Sequence, residues 1–170
     1  DMIAALQTDP MMTLNGRPIR IRVGLHTDQV IVGNIGAPNR FNYTVVGDGV
    51  NLASRLEGVG KAYHVSIVAS EDTRLAAGDG VRFRELDQVR VVGRDRPVTL
   101  FEPLAPGTPI DLPRFAEALT LWRGGAFAAA ASLFRQLGGD PAAAAFAERA
   151  EAFAAHPPER WDGIVNLTQK

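Results

Sequence analysis

NYTVVGDGVNLASRLE, residues 42–57, joins a short apolar strand, a Gly-Asp-Gly turn and a helix that carries Asn and Arg. With a helix start at about Asp48, Val50, Ala53 and Leu56 fall three apart on a buried face. Asn51 and Arg55, four apart, then share the neighbouring stripe, so that one carboxamide and one guanidinium face the same place. A helix N-terminus adds unpaired backbone N–H groups and partial positive charge, and Arg supplies a planar fork of donors suited to phosphate oxygens. Such a surface suits a nucleoside triphosphate. On the plainer reading Asp48 is an N-cap and Asn51 and Arg55 are solvated helix residues. The spacing leaves both readings open.

Upstream, Ile19, Ile21, Val23 and Leu25 alternate with Arg20, Arg22 and Gly24, the period of a half-buried strand. A second strand is expected at Gln29–Ile35. His26-Thr27-Asp28 between them predicts a tight hairpin, and Gly36–Arg40, with Pro38 and Asn39, reads as a loop. Met2, Ile3 and Leu6 have helical spacing and read as the end of a helix whose beginning lies upstream. Downstream, a strand at Val65–Ala69 leads to Ser70 as N-cap of a short helix ending near Gly78. Strands at Val89–Val92 and Val98–Glu102 flank a turn at Gly93–Pro97. Elements in this order predict an α+β fold with helices over a largely antiparallel sheet.

The composition changes at Ala105–Pro113, where three prolines and Gly107 mark a linker. Phe115, Ala118, Leu119 and Trp122 trace one helix, and Phe127, Ala130, Ala131 and Phe134 another beyond the Gly124-Gly125 break. Gly138-Gly139 stops the second, and Asp140-Pro141 opens a third, Ala-rich helix that ends before His156. The run GAFAAAASLF, residues 125–134, loosely resembles a tetratricopeptide helical pair. A single such unit does not bury its own apolar face, so the small all-α, TPR-like extension is expected to pack on the preceding portion or on a partner. Trp161 is the expected anchor of the tail. The domain reading is 1–104, a linker at 105–113, and a helical extension at 114–170.

With 46% hydrophobic and 22% charged residues, the 170-residue chain has ordinary globular composition, which argues against disorder. A net charge of −1 gives no broad electrostatic reason to expect nucleic acid or an anionic membrane as partner, so phosphate attraction has to be local. The lack of cysteine excludes disulfides, thiolate catalysis and cysteine-ligated zinc. It fits a cytoplasmic setting, or the cytoplasmic part of a membrane-anchored parent. No run approaches the ~20 apolar residues that span a bilayer. His26, His64 and His156 have no ligand-like spacing and are read as structural or surface residues.

Val23–Tyr63, VGLHTDQVIVGNIGAPNRFNYTVVGDGVNLASRLEGVGKAY, resembles the C-terminal half of a class III nucleotidyl cyclase catalytic domain, and the match continues through Val65–Thr73 to Val89–Pro103. The helical tail with its WDG segment is similar to C-terminal extensions of some bacterial cyclases. The resemblance implies a partial ferredoxin-like core, entered partway through, that works as a dimer with each site formed between two domains. It implies that Asn51 orients the ribose and that Arg55 stabilises charge on the α-phosphate as the 3′ oxygen attacks it. Thr44 matches the base-reading position, where a hydroxyl can accept from the adenine amino group or donate to the guanine oxygen. Thr44 without the resemblance is a β-branched strand residue that needs no ligand.

The family's metal-binding aspartates lie upstream of the residues present, so Mg or Mn is expected for the complete domain with ligands not in this chain. Three positions depart from the family pattern. Where V-K-G-K is usual before the last hairpin, the chain has Val91-Val92-Gly93-Arg94, so the phosphate-reaching role falls to Arg94 or Arg96. Asp28 replaces the usual Gly after His-Thr, and Gly49 replaces a frequent Thr at the helix start. The resemblance as a whole implies an adenylate cyclase that converts ATP to cyclic AMP and pyrophosphate. This chain would supply the Asn and Arg half of a homodimer's site and be inactive alone. The alternatives are a catalytically silent regulatory or nucleotide-binding module, or a protein-interaction adaptor acting through the helical tail.

Overall fold

The computed structural model describes residues 13–14, 17–18, 20–37, 40–91 and 96–167, with side chains omitted at 13, 14, 17, 18, 40 and 167. The expected helix end at Met2, Ile3 and Leu6 lies outside the described residues, as do Val92 and Arg94. Strands β1 (Thr13–Leu14) and β2 (Arg17–Pro18) form a short antiparallel pair. Next come β3 (Val23–Leu25), β4 (Ile31–Ala37), β5 (Arg40–Val46), helix α1 (Asp48–Val59), β6 (Ile67–Ser70) and α2 (Glu71–Ala77). Long strands β7 (Arg82–Val91) and β8 (Val98–Leu104) precede three helices, α3 (Leu112–Arg123), α4 (Phe127–Arg135) and α5 (Pro141–Ala155). A final strand, β9 (Val165–Leu167), closes the described chain.

The central sheet runs β3-β6-β8-β7-β9, and α1 packs on β3 and β6. It is an α+β arrangement with a mixed sheet: β3 pairs with β6 and β7 with β9 in parallel, while β8 is antiparallel to both its neighbours. The approach of α1 to the sheet is close. A Cβ at Gly24 would lie 2.0 Å from the Ala53 carbonyl oxygen and 2.5 Å from the Glu57 nitrogen, so only glycine lets the helix lie against this strand.

Several expectations need correction. The hairpin at His26–Asp28 does not form: β3 pairs with the distant β6, and the hairpin partner of β4 is β5, joined across residues 38–39. Of the residues read as a loop, Gly36 and Ala37 end β4 and Arg40 begins β5. The helix at Asp48 forms, but its N-cap is Gly47, and Asp48 is its first residue. Its buried face is Gly49, Leu52, Leu56 and Val59, rotated from the expected stripe so that Val50 is 37% exposed. The tail is not all-α, because β9 adds to the sheet edge beside Val89–Val91. Leu112 and Pro113 belong to α3, which Asp111 caps by accepting from the Arg114 N–H.

The C-terminal helices share one core with the sheet. Phe115, Ala118, Leu119 and Trp122 of α3 and Phe127, Ala130, Ala131 and Phe134 of α4 are all buried, as their spacing predicts. They join Leu52, Leu56, Val68, Leu86 and Leu100 in the same cluster. Trp161 anchors the tail: its ring centroid is 5.0 Å from that of Trp122, and its indole N–H donates to the Trp122 and Arg123 carbonyls. On the other side of the sheet Arg74 of α2 lies over the Phe101 ring. No helix among the described residues is long and apolar enough to cross a membrane.

Candidate active site

The chain leaves β5 through Gly47 directly into α1, which places the candidate residues on two consecutive elements. Thr44 lies on β5 opposite Gly33 of β4 and is exposed. Asn51 and Arg55 lie on the exposed side of α1, one turn apart, while Leu52 and Leu56 point into the core. The one-turn spacing expected from the sequence holds, and the exposure suits the plainer solvated-helix reading as well. Arg94, read as a phosphate contact, lies outside the described residues. Arg96, its alternative, is exposed and borders a cleft of about 480 Å³ that Asp48, Glu71, Asp72, Pro97, Val98 and Thr99 also line. The cleft thus connects the head of α1, the head of α2 and the base of the β7–β8 turn.

Behind the cleft lies a residue whose environment the sequence did not disclose. The His26 side chain is 3% exposed. Its Nδ1 is 2.8 Å from Ser70 Oγ, and the Asp72 carboxylate lies 3.6 Å from the same nitrogen. Ser70 also caps α2 by accepting from the Thr73 N–H at 3.3 Å. His26 therefore ties the end of β3 to the head of α2, across 44 residues of sequence. His64 is exposed and takes a positive φ of 55° after α1, so the reading of the histidines as structural or surface residues fits both environments.

Two further charged groups lie inside the molecule, away from the cleft. Burial raises the Asp87 carboxyl above its ordinary value, opposed by a hydrogen bond from the Tyr63 hydroxyl at 2.8 Å, by the Gln88 N–H and by Arg149. Burial likewise raises Glu102, opposed by Arg84, which pairs with both Glu102 and Asp140. Both clusters join the sheet to α5 or its cap, and neither faces Asn51 or Arg55. Among the described residues no group of three or more His, Asp or Glu side chains is arranged to hold a metal ion. The divalent metal implied by the resemblance has no ligand set among them.

Residues 1–101 match the family described as the Adenylate and Guanylate cyclase catalytic domain. The chain belongs to that family. Its cyclase portion is 42% identical over 83 residues to Adenylate cyclase 1 of Rhizobium meliloti (strain 1021), covering 49% of this chain and 12% of that protein. It is 34% identical over 87 residues to an adenylate cyclase of Anabaena cylindrica, covering 49% of this chain and 17% of that protein. The chain therefore spans a small part of these relatives. Among solved structures, the guanylyl cyclase Cya2 superposes with a TM-score of 0.50 at 33% identity, over 65% of this chain and 56% of that one. The adenylyl cyclase CyaB from P. aeruginosa is 38% identical, with a TM-score of 0.47 over 52% of this chain and 44% of that one.

Proposed function

We propose that this cyclase-family chain acts in converting ATP to 3′,5′-cyclic AMP and pyrophosphate, supplying one half of a site shared between two domains. The observation that carries the reading is the exposed Asn51–Arg55 pair on α1, which follows β5 and its Thr44 without an intervening loop. In-line attack of the ribose 3′ oxygen on the α-phosphate breaks the bond to the β-phosphate oxygen and releases pyrophosphate. The demand on the protein is to position these groups and neutralise the charge that develops. Arg55 offers a two-pronged cation for the α-phosphate, Asn51 a donor and acceptor for the ribose, and Thr44 a hydroxyl for the base. Arg96 at the cleft, with Arg94 beside it in sequence, is the candidate for the leaving phosphates. Asp48, Glu71 and Asp72 share that cleft and oppose an anion there, so the arginines have to outweigh them.

Relatives named for both adenylate and guanylate cyclase activity leave the base to Thr44 and its partners, and ATP is the proposed substrate because the curated relatives above are adenylate cyclases. A second copy of the domain is the proposed partner. The β4–β5 ribbon supports this, since Ile31 is 71%, Phe41 58% and Tyr43 77% exposed. The silent-module reading draws on Val92 and Asp28, the departures from the family pattern at the last hairpin and after His-Thr. One experiment separates the readings. The full-length gene product should form cyclic AMP with Mg or Mn, Asn51→Ala should lower kcat roughly 100-fold, and the 170-residue chain alone should form none. Nucleotide binding by the full-length product without any turnover would establish the silent module instead.

A further inference from the structure

Two of the three positions where the chain departs from the family pattern lie side by side, so close that a side chain at one would meet the other. Gly49 is buried in the first turn of α1, and a Cβ placed there would lie 2.7 Å from Asp28 Cβ, 2.9 Å from Asp28 Oδ2 and 3.1 Å from His26 Cδ2. The contact to Asp28 Cβ matters most, because rotating the Asp28 side chain moves its oxygens but not that carbon. Asp28 is also held locally, its Oδ1 accepting from the Gln29 N–H at 2.8 Å. Beside it, also against position 49, is His26, buried and fixed to Ser70 at the head of α2. His26 Nε2 is buried without a hydrogen-bond partner among the described residues, and Asp28 Oδ2 lies 3.6 Å from it. The loop after β3 is thus wedged between the heads of two helices, with no room for a side chain at position 49.

We propose that Asp28 is a positioning residue for α1: its contact with Gly49, backed by His26, sets where the first turn of the helix sits and so where Asn51 and Arg55 are presented. Asp28 and Gly49 then form a mutually dependent pair, in which the carboxylate occupies the space that a side chain at 49 would need. The catalytic part of this inference rests on the cyclase reading, whereas the seating of α1 does not.

The test is a double-variant cycle in the full-length gene product, reading kcat, KM, the melting midpoint and hydrogen exchange of the amides from Gly49 to Arg55. Gly49→Ala is expected to lower kcat roughly 10- to 100-fold by displacing the helix. KM should stay within about threefold, since the displaced groups act mainly in the transition state. Exchange in the first two turns of α1 should quicken. Adding Asp28→Gly to Gly49→Ala is expected to recover both rate and exchange protection. A Gly49→Ala protein too unstable to purify, made foldable again by Asp28→Gly, is the same rescue read at a lower threshold. Unchanged kcat and exchange in Gly49→Ala overturn the proposal, as does a double variant no better than the single. If the wild-type product makes no cyclic nucleotide, the cyclase reading fails and the exchange cycle decides alone: loss and recovery support the seating of α1, and their absence overturns it.

Discussion

The β4–β5 ribbon and the C-terminal helices are both rich in large apolar side chains, yet the ribbon holds its set in solvent and the helices hold theirs against the sheet. Trp122, Phe115, Phe134 and Phe146 are at most 1% exposed, whereas Ile31 and Tyr43 are 71% and 77% exposed. Phe146 shows how the helical set closes on itself: it stacks on Phe134 at 4.8 Å and meets Tyr63, from the cyclase portion, at 5.4 Å. The charges drawn in with it are partnered as well. Arg149 lies over the Tyr63 ring at 4.7 Å, 3.8 Å from Asp87, and donates to the Ala62 carbonyl. Among the described residues the ribbon has no comparable cover. The C-terminal helices are thus part of this chain's own core, while the ribbon leaves its large apolar side chains exposed.

The strongest attempt to break this contrast is truncation in the helical core. Phe146→Ala should cost about 3–5 kcal/mol in urea unfolding, because both Tyr63 and the α3–α4 aromatics lose their neighbour. An unchanged unfolding midpoint would mean that the helices do not share the core of the sheet. Next in size, Arg149→Ala should cost about 1–3 kcal/mol, since it leaves Asp87 buried with fewer compensating partners. The raised Asp87 and Glu102 carboxyls give the comparison a pH signature. A carboxyl whose folded pKa is raised binds its proton more tightly in the folded state, so stability falls as pH rises from the ordinary values of 3.8 and 4.5 through the raised ones. Unfolding free energies across that window should show a slope of up to about 1.4 kcal/mol per pH unit for each group, and Asp87→Asn should remove the Asp87 share. A slope of opposite sign would contradict the burial argument. The smallest effect on folding belongs to the ribbon: Tyr43→Ser should change stability by no more than about 0.5 kcal/mol. If a second copy binds the ribbon as proposed, the same variant should lower the apparent mass of the full-length product in light scattering.

How much of this was legible in the sequence depended on range. The C-terminal helices follow from local rules, with Asp111 and Asp140 as caps and aromatics recurring at helical spacing, and each predicted buried position on α3 and α4 is buried. Asn51 and Arg55 were legible for the same reason. Val50 was not: where α1 lies close on β3 at Gly24, its buried face carries Leu52 and Val59 beside the expected Leu56. Parallel pairing of β3 with β6 and of β9 with β7 leaves no mark in local spacing, and the turn residues at His26–Asp28 proved to serve a wedge between helices rather than a hairpin. The contact of Asp28 with Gly49 needed coordinates, although both residues were already notable as departures from the family pattern.

The proposed presentation of Arg55 by α1 to a reacting phosphate is read most directly from the steady-state rate of cyclic AMP formation by the full-length product with Arg55→Ala. The prediction is a fall in kcat on the order of 10³-fold with KM for ATP little changed, as expected for a cation that acts on charge developing in the transition state. Wild-type kcat in a folded Arg55→Ala protein would contradict the claim.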